Sequence, residues 1–190
     1  KNRIVRAGKW ANFDEHTIPV YNLTTQKLVK KVVQENDTCS LYEWADHMVS
    51  VSNNAAASIV WKEAMLMRAY GANYPPSAEQ EAMFFRDTPK SQLRDLGMAV
   101  VNEPLREMGI TTEEFRLGSM FTRDAKAMVP GAGGTTASPY GMMKFLVAME
   151  RGKIVDSTSS LEIKRLMYST DRRIRYAAST ALNNAAVYYK

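Results

Sequence analysis

From residue 40 onward, apolar positions recur at helical spacing. Ser40-Leu41-Tyr42-Glu43 has the form of a capping box, a serine N-cap with glutamate three residues on. Leu41, Trp44, Ala45 and Met48 then form one apolar stripe. A second helix is predicted from Asn54 as its cap to about Ala69, with Ile59, Val60, Ala64 and Met67 buried and Gly71 as its stop. Pro75-Pro76 breaks the pattern, and Ser77-Ala78-Glu79-Gln80 opens a short helix with another capping box. Thr88-Pro89 reads as an N-cap followed by proline at the first helical position. That helix is predicted to run through Leu93, Leu96, Val100 and Val101 and to end before Pro104. Ser138-Pro139 starts a further helix, with Met143, Phe145, Leu146 and Met149 as its apolar face and Gly152 as its stop. Ser160 is expected to cap a last helix, Leu161 to Tyr168.

The remainder is less regular. Ile4-Val5-Arg6 and Ile18-Pro19-Val20-Tyr21 look extended, because proline and aromatic residues disfavour a long helix there. Residues 27–33 fit either state. Gly118, Pro130, Gly131, Gly133 and Gly134 predict an irregular loop over 118–137, a length that inside a compact domain signals function or disorder. Residues 185–190 read as a strand. An apolar strand needs a neighbour for its backbone groups, so the polypeptide is expected to extend beyond the C-terminal end shown.

The 190 residues suit one domain spanning 1–190, and 45% hydrophobic with 24% charged residues is a globular composition. No stretch approaches the roughly 18 apolar residues of a membrane helix, so no membrane span is expected. The polar start Lys1-Asn2-Arg3 shows no signal peptide. The net charge is +5, but dense basic clusters occur only at Lys30-Lys31 and Arg172-Arg173-Ile174-Arg175. A solvated face accounts for such clusters, and no nucleic-acid-binding signature accompanies them. The single cysteine, Cys39, excludes an intrachain disulfide and a multi-cysteine metal site. It is expected to be a small buried residue, and no motif supports pairing it with a histidine for catalysis. His16 and His47 lack partners at ligand spacing, so neither a metal nor another cofactor is expected.

Three features carry the candidate chemistry. Ser52-Asn53-Asn54 follows one helix and leads into the next. Pro130-Gly131 precedes Thr135-Thr136-Ala137-Ser138-Pro139 with Met142-Met143. Tyr176 to Lys190 leads into the terminal strand. In this order they resemble the class A β-lactamases and penicillin-binding serine hydrolases, over roughly residues 38–190 with extra residues around 70–100. Ser52-Asn53-Asn54 is similar to the family's S-x-N element (S-D-N in the class A form), the second feature to its T-T-x-x-x-M run, and the third to the approach to K-[ST]-G.

The resemblance implies an α/β (α+β) fold of transpeptidase type, mostly its helical lobe with part of the antiparallel-sheet lobe. It implies acyl transfer through an acyl-serine on a β-lactam, a peptidoglycan peptide or a related amide or ester, in the periplasm or outside the cell. Ser52 would relay a proton to the leaving nitrogen, Asn54 would hold the substrate amide and the active-site lysine, and Lys190 would supply positive charge near the substrate carboxylate. Two departures qualify this. No S-x-x-K occurs in residues 1–190, so the nucleophile is expected upstream of Lys1. Anchoring the ω-loop on Pro130-Gly131 puts Thr122 where that family has its deacylating Glu and Lys126 where it has Asn, while Glu103-Pro104 lies too far upstream. Slow deacylation, or peptidase or esterase activity, fits better than fast β-lactam hydrolysis. The rival readings are a non-catalytic relative that keeps the fold, with Ser52 and Asn54 acting only as helix caps, and a basic helical nucleic-acid-binding module.

Overall fold

The computed structural model describes residues 1–118 and 134–168, which form a mixed α/β fold dominated by helices with small antiparallel sheets. The chain begins with β1 (Ile4–Arg6), β2 (Thr17–Asn22), β3 (Lys27–Val32) and β4 (Thr38–Ser40). Helices α1 (Leu41–Ser50), α2 (Asn54–Tyr70), α3 (Ala78–Asp87) and α4 (Lys90–Glu107) follow. After β5 (Phe115–Arg116) come β6 (Thr136–Ala137), α5 (Pro139–Glu150) and α6 (Ser157–Tyr168). The strands pair antiparallel as β1 with β4, β2 with β3, and β5 with β6.

The core forms where α1 and α2 meet the first strands. Trp44 is fully buried, and its indole Nε1 donates to the Val5 carbonyl at 2.9 Å, tying α1 to β1. Val5, Ile18, Val33, Ala55, Ala56 and Ile59 close around it. A second cluster joins Met65 of α2 to Leu93 of α4, with Trp61 donating to the Gly97 carbonyl at 2.8 Å. The β2–β3 hairpin lies mostly outside this packing: only Ile18 of β2 is buried, and every residue of β3 is exposed. Its turn is held by the Asn22 side chain, which accepts from the Thr24 and Thr25 amides at 3.0 and 2.9 Å.

Several predicted boundaries stand. Both capping boxes close, with Ser40 accepting from the Glu43 amide and Ser77 from the Gln80 amide. Gly71 ends α2 at a φ of 51°, and Ser138 caps α5 with Pro139 in its first turn. Residues 27–32, which fitted either state, form β3.

Others move. The cap of α2 is Asn53, whereas Asn54 is already helical. Helix α4 starts at Lys90, with no side-chain cap from Thr88, and continues past Pro104 to Glu107. Leu105, one residue beyond that proline, is buried, and its packing extends the last turn. Helix α6 starts three residues before Ser160. Asp156 accepts from the Ser159 amide at 2.6 Å as its cap, and the buried Ser160 hydroxyl instead bonds Ile154. Cys39 is half-buried in β4 rather than buried, paired with Val5, and burial, Glu43 and Asp37 push its thiol up to about 11. On α5 Met149 is buried, but Met143 is exposed. The strand expected over 185–190 and most of the loop expected over 118–137 lie outside the described residues.

Gly141 positions α5. A Cβ added there would lie 2.2 Å from the backbone oxygen of Glu114, which also accepts from the Ser138 amide at 2.7 Å. Gly141→Ala ordinarily gains up to about 1 kcal/mol of helix propensity. Here a rigid backbone atom occupies the space, so overpacking prevails, and the variant is expected to lose about 1–3 kcal/mol in urea denaturation. An unchanged or higher stability would mean that α5 does not dock on the 111–115 turn.

Candidate functional site

The turn between α1 and α2 is three residues long and each has a different environment. Val51 follows α1 and is buried. Ser52 is exposed and adopts a φ of 59°, a left-handed conformation that serine takes at a cost of roughly 1–3 kcal/mol. Gln26, Asn36 and Val155 share positive φ, so the sign alone does not mark a site. Asn53 turns inward and is only 1% exposed. Its Oδ1 accepts from the Ala56 amide at 2.9 Å, and its Nδ2 donates to the His16 carbonyl at 2.9 Å. Its own amide donates to the His47 carbonyl at 3.1 Å, closing the end of α1.

Asn54 is the first residue of α2 and half-buried. Its Nδ2 donates to Asp14 Oδ2. The same oxygen lies 2.7 Å from His16 Nδ1, and Asp14 Oδ1 accepts from the His16 amide at 2.9 Å. One turn along α2, the Ser58 hydroxyl donates to the Asn54 carbonyl at 3.0 Å and accepts from the Asn12 amide at 3.2 Å. Segment 12–16 is therefore laced to the first turn of α2 by side chains on both sides.

This arrangement sets the charges. Burial raises the Asp14 carboxyl, but bonds from the His16 ring and amide and from Asn54 outweigh it and hold it below the usual carboxylate range. A carboxylate can only accept, so the bond to Asp14 places a proton on His16 Nδ1. Burial lowers the pKa of His47, on the buried face of α1, with smaller opposing contributions from Asp46 and Glu43. The turn thus offers an exposed hydroxyl, a carboxamide oriented by a carboxylate, and an imidazole oriented by the same carboxylate.

Of the sequence-predicted site residues, Ser52 and Asn54 lie on this turn, and Lys190 lies outside the described residues, as do Pro130, Gly131, Thr122 and Lys126. Thr135 Oγ1 accepts from the Gly118 amide at 3.0 Å, Thr136 pairs with Arg116 in β6, and Ser138 caps α5. These bonds go to residues 114–118 and to α5 itself, away from Ser52. Sequence reasoning passed over Asp14 and gave no site role to His16 or Asn53. The available signal was Asp14-Glu15-His16, whose i, i+2 spacing lets a carboxylate bond both the ring and the amide of a histidine. Among the described residues, no three His, Cys, Asp or Glu side chains come together to hold a metal, and no helix is long and apolar enough to cross a membrane.

No protein-family model matches the chain, and no curated protein or solved structure matches it.

Asn53→Ala removes a helix cap and leaves the His16 carbonyl without its donor. The expected loss is about 2–4 kcal/mol in chemical denaturation, from roughly 1 for the cap and 1–3 for the stranded group. A loss below 0.5 kcal/mol, about the size of an ordinary surface effect, would contradict the burial of this carboxamide. Asp14 gives a pH-dependent check. Its folded pKa is depressed, so its stabilisation is complete above the unfolded value near 4 and is lost as pH falls through the lower folded value. Asp14→Asn resembles the protonated side chain, so its deficit against the natural protein is expected at pH 7 and should close below pH of about 4. A deficit independent of pH would show that the charge is not what holds the turn.

Proposed function

We propose that this chain is part of a serine hydrolase of the β-lactamase and penicillin-binding type, with the corresponding transpeptidase fold and acting in the periplasm or outside the cell. The reaction is acyl transfer through an acyl-serine on a β-lactam, a peptidoglycan peptide or a related amide or ester. The observation that carries this reading is the Ser52-Asn53-Asn54 turn. Asn53 faces inward as the structural cap, Ser52 is left exposed at a φ of 59°, and Asn54 opens α2 with its carboxamide fixed by Asp14. Strained, exposed polar residues on a rigid helix junction suit a site where a hydroxyl must meet substrate.

In this reading Ser52 passes a proton to the leaving nitrogen, worth typically 10²–10⁴ in rate for a positioned acid or base. Asn54 presents its carboxamide to the substrate amide, and Lys190 adds positive charge near the substrate carboxylate. No cofactor takes part. The attacking serine belongs to an S-x-x-K element, which residues 1–190 do not contain. With Thr122 and Lys126 in place of the deacylating pair, the acyl-enzyme is expected to persist. The bond between Asn54 and Asp14 also favours a second reading, a non-catalytic relative in which both asparagines only fasten α2.

Intact mass of the natural-length protein with excess penicillin separates the two. The expected result is one long-lived adduct with the mass of the opened drug. Ser52→Gly removes the hydroxyl and relaxes the backbone, so it should fold at least as stably yet label about 100-fold more slowly. Equal labelling rates would remove the relay role from Ser52. No adduct with penicillin, together with no release of p-nitrophenol from an activated ester, would leave the non-catalytic relative.

A further inference from the structure

A second polar cluster lies farther along α2, outside the turn described above. Lys62 and Glu63 are both buried, at 3% and 0% exposure, on a helix face that packs mostly apolar residues. Lys62 Nζ lies 2.7 Å from Glu81 of α3 and 3.0 Å from Glu63, and 4.9 Å from the centre of the Trp10 ring. Glu63 Oε2 accepts from Arg3 at 2.7 Å and from the Tyr74 hydroxyl at 2.6 Å. The Arg3 guanidinium sits 4.8 Å over the Tyr74 ring. Two cations and two carboxylates therefore cancel. Buried ion networks of this kind rarely out-stabilise apolar packing, so stability alone does not account for four charged groups here.

These groups line one wall of a cleft of about 680 Å³ between β1, the loop after it, and α3. That volume is within the range of roughly 300–1,000 Å³ found for small-molecule sites. The cleft is also lined by the apolar residues Ile4, Pro76, Ala82 and Phe85. Gly8 allows the Trp10 indole to lie against the backbone, since a Cβ there would fall 2.2 Å from Trp10 Nε1. Arg6 and Lys9 also line the cleft. Both are exposed, and neither has a carboxylate partner among the described residues. With the interior charges paired, the cleft carries a surplus of two positive charges beside an apolar slot.

We infer that this cleft binds a small organic anion, its apolar body against Ile4 and Phe85 and its acidic head on Arg6 and Lys9. The charge complementarity gives the class: a neutral apolar molecule would leave both cations unanswered, and a small inorganic anion would leave the slot empty. The site is independent of the serine chemistry proposed above and shares no residue with the Ser52 turn.

The test is a fluorescence titration of the whole protein with two probes that share one aromatic body and differ by a sulfonate group. These are 8-anilinonaphthalene-1-sulfonate and its neutral parent, N-phenyl-1-naphthylamine. The sulfonate is expected to saturate at one per chain and to bind about tenfold more tightly than the neutral probe, with the difference shrinking as salt rises from 50 to 500 mM. Arg6→Ala combined with Lys9→Ala should weaken the sulfonate about tenfold and leave the neutral probe unchanged. Ala82→Trp, at an exposed position whose side chain grows into the slot, should abolish binding of both probes. Ala78→Trp, on the same wall, serves if that variant fails to fold. Equal affinity for the two probes would overturn the charge assignment. Unchanged sulfonate binding in a folded Ala82→Trp or Ala78→Trp variant, or no saturable binding at all, would overturn the site.

Discussion

A buried carboxamide must find partners for both of its ends, and Asn53 meets that demand in only one way here. Its oxygen takes an amide in the first turn of α2, and its nitrogen reaches the carbonyl of His16. Those two bonds fix where α2 begins and hold segment 12–16 against it. They also explain Ser52. With α1 closed by the Asn53 amide on His47 and Asn53 turned inward, the residue between the helices absorbs the change of direction. It does so in the left-handed region, with its side chain outside. The exposed hydroxyl is thus a consequence of the buried amide beside it, and so is the placement of Asn54 near Asp14.

Much of the helical framework was legible in the chain because its signals are local. A capping box depends on residues three apart, so Ser40 with Glu43 and Ser77 with Gln80 set two helix starts whatever packs on them. The same kind of signal failed where a neighbour competed for the role. Asn54 and Asn53 are chemically identical, and only the His16 carbonyl, far away in sequence, decides which one turns inward. Ser160 resembled a cap, yet Asp156 takes that function while the serine is drawn into the α5–α6 loop by Ile154. Proline usually marks a boundary, but burial of Leu105 extended α4 beyond it.

Periodicity misled in a different way. The apolar stripe on α2 pointed to Met67 as buried and ignored Lys62 and Glu63, whereas Met67 is 40% exposed and the two charged residues are hidden. A pattern built on hydrophobicity cannot register charges that enter the interior because they neutralise each other. The β3 strand was ambiguous for the opposite reason. None of its residues is buried, so no alternation exists to be read, and the strand rests on its ladder with β2. The site was half legible: Ser52 and Asn54 stood out as a motif, while Asp14 and His16 matter through contacts across 40 and 37 residues of chain.

Helix α2 carries both polar systems, and their spacing decides whether they behave as one. Asn54 and Glu63 are nine residues apart, about 13 Å of helical rise, but Ser58 and Lys62 are only four apart, about 6 Å. The first system consists of Asn53, Asn54, Asp14, His16 and Ser58, the second of Arg3, Lys62, Glu63, Tyr74 and Glu81. The far members lie beyond the about 7–10 Å at which sites perturb stability nearly additively, whereas Ser58 and Lys62 lie within it. The apolar residues along the same stretch, Ile59 and the alanines at 55 and 56, pack into the strand-side core. The helix therefore carries an exposed polar turn at its start and a charged cleft along its middle, joined by one turn of buried polar residues. A change at Asn54 or Glu63 should leave the other in place, while a change at Ser58 or Lys62 meets its neighbour one turn away.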